Sequence, residues 1–264
     1  MNRALIVGIN NYKDKRNKLR GCVNDANALC AVLTSRYQYR DVNMLTDNAA
    51  TKKNILSNLR SLIEATGKGD TGIFYFSGHG CQIPNADEAD RFDECLVTHD
   101  HDWGNALSDD DIRDCLSRHR GGAKIALIID SCHSGDLDDS SDKKVEFHPP
   151  EIADALASKR AESVTNVLGR KDSNPKTQRH VLFSACRSDE FALERKVKKQ
   201  WRGLFTSTFV KHLGVPPKRR KTWGTLYKHV AAVVARNSNF KQNPTLVCNK
   251  ADRWKQAFTF NNKK

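Results

Sequence analysis

What this sequence lacks sets its first bounds. The longest apolar runs, such as Ile125–Ile129, are far too short to cross a bilayer, which takes about 20 residues. The amino-terminal residues show no charged segment followed by a long apolar stretch. A strand-like Ala4-Leu5-Ile6-Val7 stands there instead, so no secretory signal and a cytoplasmic location are expected. No two of the eight cysteines stand in Cys-x-x-Cys spacing, and several lie inside apolar periodic segments. A structural zinc site and a disulfide framework are therefore disfavoured, and most of the thiols are expected to be buried and reduced. No internal repeat is present. A chain of 264 residues is long enough to bury one substantial core.

Uniform basicity is also missing. The net charge of +13 conceals 20 Lys and Arg against 4 acids from Gln178 onward, and 24 against 27 before it. Within Asp87–Asp142 there are 16 acids and 5 Lys or Arg. This distribution fits two mutually attracting parts, or an acidic site that takes a cation, better than a nucleic-acid binder. The basic end has no base-reading motif and little aromatic interleaving beyond Trp201 and Trp223, so nucleic acid is not an expected partner. The run Lys218–Lys221 reads as solvated surface.

What is present alternates. Apolar, β-branched runs at Arg3–Gly8, Gly72–Phe76, Lys124–Ile129 and His180–Ser184 read as buried strands, with weaker candidates at Val42–Leu45 and Cys95–Thr98. Helical periodicity marks Asn24–Arg36, with Asn24 or Asp25 as the N-cap, and also Thr51–Ala65, Asp109–Ser117, Phe205–Leu213 and Thr225–Arg236. The pattern predicts an α/β domain with a mostly parallel central sheet of about six strands and helices on both faces. Asp136–Gln178 breaks the alternation with a charged, Ser- and Pro-containing connection, in which Ile152–Glu162 is the one candidate helix.

Two strand ends carry reactive side chains. One gives Phe76-Ser77-Gly78-His79-Gly80, the other Ile129-Asp130-Ser131-Cys132-His133-Ser134-Gly135. Reactive groups of parallel sheets gather beyond the carboxyl ends of strands. A thiol acts as a nucleophile only as thiolate, and a facing imidazole can take its proton. On adjacent strands, His79 and Cys132 would form a catalytic dyad, with backbone N–H groups of Gly80 and Cys132 stabilising an oxyanion. His133, adjacent to the thiol, is expected to play a supporting role. Alone, His79 could be a turn residue and Cys132 a packing residue; their joint placement favours chemistry.

These motifs, together with LRGCVNDA, DEADRFDECLVTHD, FSACRSDEFALE and GLFTSTF, resemble those of the metacaspases, the caspase-related cysteine peptidases. The resemblance implies a caspase-like fold divided into a large-subunit-like catalytic region (1–140), a variable linker (141–177) and a small-subunit-like region (178–264), all in one domain. It implies an endopeptidase with His79 as general base and Cys132 as nucleophile, cleaving protein or peptide substrates after Arg or Lys. The basic side chain would enter a pocket built on Asp25, Ser77 and Asp130. Asp25 also reads as a helix N-cap, whereas Asp130, ending an apolar strand, requires a buried partner or an exposed role. The resemblance further implies Ca2+ bound by Asp93, Asp109, Asp110 and Asp139, although Asp109 and Asp110 equally suit a helix start. Self-cleavage would use Lys143, Lys144, Lys159, Arg160, Arg170 or Lys171. A monomer is expected. The rival functions are a catalytically silent caspase-like scaffold, a basic nucleic-acid-associated protein and a Cys-His hydrolase of non-protein substrates.

Overall fold

The computed structural model describes residues 1–84, 92–102, 106–119, 121–131, 180–187, 190–216, 221–239, 241–253 and 255–258, without the side chains of Gln82, Pro84, Phe92 and Asp93. Six strands make the central sheet: β1 (Arg3–Gly8), β2 (Asp41–Thr46), β3 (Thr71–Ser77), β7 (Lys124–Asp130), β8 (His180–Ser184) and β11 (Thr245–Val247). Their order is β11-β8-β7-β3-β1-β2. All neighbours are parallel except β11, which runs antiparallel to β8. A three-stranded antiparallel sheet is built from β4 (Gly80–Pro84), β5 (Phe92–Leu96) and β6 (Leu107–Ser108), and a two-stranded ribbon from β9 (Glu194–Val197) and β10 (Gln200–Gly203). The helices are α1 (Cys22–Arg36), α2 (Lys52–Ala65), α3 (Asp109–Ser117), α4 (Leu204–Gly214), α5 (Trp223–Asn237) and the short α6 (Lys250–Arg253). No helix among the described residues is long and apolar enough to cross a membrane.

Because alternate residues of a strand point to opposite faces, the near-continuous apolar strands bury both. Ile6, Tyr75, Ile128 and Phe183 face one layer, where Leu29 of α1, Phe209 of α4 and Val230 of α5 cover them. Val7, Phe76, Leu127 and Ile129 face the other, covered by Ile55 and Leu59 of α2 and Ile112 and Cys115 of α3. Phe183 meets Phe205 and Phe209 edge-on, at centroid separations of 5.0 and 5.7 Å. The mostly parallel, doubly covered sheet is the architecture expected from the sequence.

Two details differ. Cys95–Thr98 is a weaker strand candidate in the sequence; the strand there is Phe92–Leu96, and among the described residues it pairs in the antiparallel side sheet. The sixth central strand is instead β11, three residues long, too short for alternation to be visible in sequence. Nor is Asn24 or Asp25 the N-cap of α1. The helix starts at Cys22 behind Gly21, and its first N–H groups are accepted by distant side chains. Asn10 Oδ1 takes those of Cys22 (2.9 Å) and Val23 (3.4 Å), and Glu194 Oε1 takes that of Gly21 (2.8 Å). Asp25 lies inside the first turn, its carboxylate engaged elsewhere.

The chain passes from β1 outward to the edge strand β2 and returns to β3 on the other side of β1, so the topological switch lies between β1 and β3. Close approach is needed there: a Cβ on Gly8 would stand 2.7 Å from the Cys22 carbonyl oxygen. At the opposite end of the molecule, the Lys221 ammonium caps α4, donating to the carbonyls of His212, Leu213 (3.4 Å) and Val215 (2.7 Å). The expected helix Ile152–Glu162, the linker 141–177 and His133 lie outside the described residues. Strands from 1–140 and from 178–264 nevertheless share one sheet, through the parallel pairing of β7 with β8.

Candidate active site

Strands β3 and β7 are neighbours, in a register that pairs Ser77 with Asp130 at their carboxyl ends. His79 therefore stands two residues beyond one member of that pair, and position 132 two residues beyond the other. The Gly78 N–H donates to the Asp130 carbonyl (3.4 Å) and the Ile9 N–H to the Ser77 carbonyl (2.9 Å), which ties the turn after β3 to both neighbouring strands. A Cβ on Gly78 would stand 2.7 Å from Tyr12 Oη, so the glycine before the histidine is sterically required.

His79 is buried and held from several sides. Its backbone N–H donates to Tyr12 Oη (2.8 Å), and the two rings lie 4.9 Å apart. Its ring Nε2 is 2.9 Å from the Asn17 carbonyl oxygen. A carbonyl can only accept, so Nε2 carries the hydrogen and the basic lone pair of the neutral ring is on Nδ1. Gly80 opens β4 opposite Leu96, and the Val97 N–H donates to the His79 carbonyl (3.0 Å). Cys132 lies outside the described residues. Ser131, before it, is buried and its carbonyl accepts from the Cys186 thiol (3.5 Å).

The three residues expected to form the basic-side-chain pocket come together. Asp25, Ser77 and Asp130 are all fully buried. Asp25 Oδ1 accepts from Arg202 Nε at 2.6 Å, and its Oδ2 from the Gly203 N–H at 2.7 Å. Asp130 Oδ2 accepts from Thr206 Oγ1 (2.6 Å) and the Thr206 N–H (3.3 Å) in the first turn of α4, where the helix dipole favours an anion. Tyr75 Oη lies 2.8 Å from Thr206 Oγ1 and extends the network beneath the sheet end. A Cβ on Gly203 would fall 2.4 Å from Asp130 Oδ2 and 2.9 Å from Asp25 Oδ2, so glycine alone lets the chain pass between the carboxylates.

Several of these partners were not singled out in sequence: Tyr12, Asn17 and Arg202, whereas Glu194 ends the motif FSACRSDEFALE. Gly203 and Thr206 lie in the GLFTSTF motif, although nothing local to it shows that they hold the carboxylates. Glu194 carried a faint signal, being one of only four acids after Gln178.

The expected calcium ligands are only partly within view. Asp139 and the side chain of Asp93 lie outside the described residues; the Asp93 backbone pairs with Ile83 in β4–β5. Asp109 and Asp110 open α3 behind a capping box formed by Ser108 and Asp111. Arg113 Nη2 bonds to Asp109 Oδ2 (2.8 Å) and to Asp110 Oδ1. Among the described residues no group of three or more His, Cys, Asp or Glu is placed to hold a metal ion. Asp109 and Asp110 thus supply adjacent hard oxygens that a helix start and an arginine already balance. The cleavage candidates Lys143, Lys144, Lys159, Arg160, Arg170 and Lys171 lie outside the described residues.

Known proteins resemble this chain in sequence and in fold. Metacaspase-2 of Arabidopsis thaliana is 38% identical over 148 residues, covering 52% of this chain and 35% of its own length. Metacaspase-1 of Cryptococcus neoformans is 38% identical over 150 residues, covering 50% and 32%. Metacaspase-4 of Arabidopsis thaliana is 36% identical over 153 residues, covering 54% and 36%. The matched segments are thus about a third of the length of these relatives. The crystal structure of protein GSU0716 from Geobacter sulfurreducens superposes with a TM-score of 0.68, covering 98% of both chains at 23% identity, which speaks to the fold alone. The family model described as Caspase domain (Peptidase C14) matches residues 1–254, and the chain belongs to that family.

Proposed function

We propose that the protein is a cysteine endopeptidase that cleaves protein and peptide substrates after Arg or Lys, with Cys132 as nucleophile and His79 as general base. The observation that supports this reading is the register of β3 and β7, which pairs buried Ser77 with buried Asp130, the residues two positions before His79 and Cys132 in sequence. In this mechanism the thiol proton passes to His79 Nδ1 and the sulfur attacks the scissile carbonyl carbon. The resulting oxyanion is held by the backbone N–H groups of Gly80 and Cys132. His79 then gives the proton to the departing amine, leaving a thioacyl enzyme that water hydrolyses. The Asn17 carbonyl keeps Nε2 protonated through the cycle and stabilises the transient imidazolium. Asp25, Ser77 and Asp130 form the floor that selects a basic side chain.

Calcium activation and self-processing belong to the same proposal. Asp93, Asp109, Asp110 and Asp139 would hold the cation, which would supply positive charge among these acids. Arg113 is the competitor it must relieve. Cleavage would fall at Lys143, Lys144, Lys159, Arg160, Arg170 or Lys171.

The deciding experiment is turnover of fluorogenic peptides ending in Arg, Lys, Asp or Leu by wild type and Cys132→Ala, with and without a Ca2+ chelator. Arg- and Lys-specific turnover that vanishes in the variant is expected. Turnover that survives Cys132→Ala removes the dyad, and a preference for Asp or Leu removes the pocket. Activity unchanged by chelation removes calcium. Mass spectrometry of both proteins in Ca2+ reads the cleavage sites; two intact chains remove self-processing.

A further inference from the structure

The carboxylate proposed to receive the substrate's basic side chain is already bonded to an arginine of the same chain. Arg202, on β10 immediately before Gly203, reaches Asp25 Oδ1 through Nε at 2.6 Å, and its side chain is 14% exposed against 0% for Asp25. We infer that Arg202 is a specificity-determining residue, an internal stand-in for the substrate's basic side chain that an incoming arginine or lysine must displace from Asp25. The inference rests on the pocket reading above and adds a competitor to it.

The geometry shows why the internal bond can be displaced. Arginine binds a carboxylate best through two parallel N–H groups. Here the bond to Asp25 is made by Nε, while Nη2 is buried with no acceptor among the described residues. A guanidinium arriving from a substrate can use both prongs, so exchange of one charge for another favours the substrate once the rest of the peptide is bound. Breaking the pair without replacement would strand a buried charge, so Arg202 leaves only as a basic side chain arrives. It thereby screens Asp25 from neutral side chains.

Arg202 is carried by a two-stranded ribbon. Among the described residues the β9–β10 ribbon pairs with no other strand, and its turn residues Lys198 and Lys199 both take positive φ, 50° and 70°. Next to Arg202, Trp201 is flanked by the Arg20 guanidinium (4.8 Å from the ring centroid) and the Lys196 ammonium (5.4 Å), and its carbonyl accepts from Asn24 Nδ2 (3.0 Å). Displacement of Arg202 would therefore alter the surroundings of an intrinsic fluorophore.

The test uses the full chain with Arg202→Gln and Arg202→Lys. For Arg-ended fluorogenic peptides, Arg202→Gln should lower KM about tenfold with kcat within a factor of two, and Arg202→Lys should fall between it and wild type. An unchanged or raised KM in a variant with native circular dichroism overturns the inference. As a check independent of variant folding, binding of an Arg-ended peptide aldehyde to wild type should shift tryptophan emission, a norleucine-ended aldehyde should not, and Trp201→Phe should abolish the shift. Equal shifts, or none, overturn it. A wild type that ignores Arg- and Lys-ended peptides but cleaves others removes the pocket reading and this inference together. A wild type selective for Arg, with KM unaffected by Arg202→Gln, removes the inference alone.

Discussion

Glu194 and Gly21 meet across 173 positions of sequence, a carboxylate oxygen at the start of β9 accepting the backbone N–H at the cap of α1 at 2.8 Å. The same oxygen lies 3.7 Å from the Cys22 thiol, and its partner Oε2 accepts the Arg20 N–H at 3.3 Å. One buried acid thus fixes the first turn of the helix that presents Asp25. Glu194→Ala leaves these donors without an acceptor and should cost roughly 2 kcal/mol of stability. Glu194→Gln, which keeps an accepting oxygen, should cost less than half as much. Thermal unfolding of the two variants beside wild type makes the comparison.

Gly203 passes between two carboxylates, and its backbone at φ −58° would suit any residue. The requirement for glycine is steric. Gly203→Ala should destabilise the fold by about 2–3 kcal/mol through overpacking. It should also lower kcat/KM for basic peptides by displacing Asp25 or Asp130, measurable by denaturant unfolding and steady-state kinetics on one preparation.

Lys221 is buried against the end of α4, with three carbonyls as acceptors. Tyr37 Oη donates to one of the three, that of Leu213, at 2.8 Å. Replacing Lys221 with Met keeps the aliphatic stem but leaves the last turn of the helix short of donors. A loss of roughly 1–3 kcal/mol is expected, while KM for peptides should not change, since this cap lies away from the catalytic end of the sheet.

His212 should make stability pH-dependent. Its ring stacks on that of His229 at 4.0 Å. Burial, with help from His229 and the nearby Lys221 ammonium, pushes its pKa down to about 4. The unfolded chain takes this proton near pH 6.5, but the folded chain holds off until about 4. Between those values the unfolded state binds more protons, so stability falls as pH falls. The contribution is complete above 6.5. His212→Phe should flatten that part of the Tm-versus-pH curve relative to wild type; parallel curves would refute the assignment.

The central sheet was legible because each buried strand is an uninterrupted apolar run; the adjacency and register of β3 and β7 are seen only in the structure. The short strands were not. Thr245–Val247 spans too few residues to show a period, and Leu107–Ser108 fewer still. The misplaced start of α1 has a simple cause: Asn24 and Asp25 are typical capping residues, but the acceptors are supplied by Asn10 and Glu194, which local sequence does not connect to the helix. His79 was legible because glycines flank it. Asp25 was legible only through family resemblance, and its partner Arg202 through neither, because a basic residue among many in a basic segment carries no local mark. The acids at 109 and 110 fitted two roles from the start; the described residues show the helix start and its arginine.

The pairing of β7 with β8 has a consequence for covalent continuity. Residues 1–131 and 180–264 contribute adjacent strands to one sheet and opposite halves of the bonds joining Glu194 to Gly21, Arg202 to Asp25 and Thr206 to Asp130. A chain nicked anywhere between those stretches would migrate as one particle under native conditions and as two bands once denatured. Asp25, Ser77 and Asp130 would all stay on the first fragment, whereas Arg202, Gly203 and Thr206, which bond to two of them, would lie on the second. Integrity of the backbone and integrity of the pocket are thus separate properties in this protein.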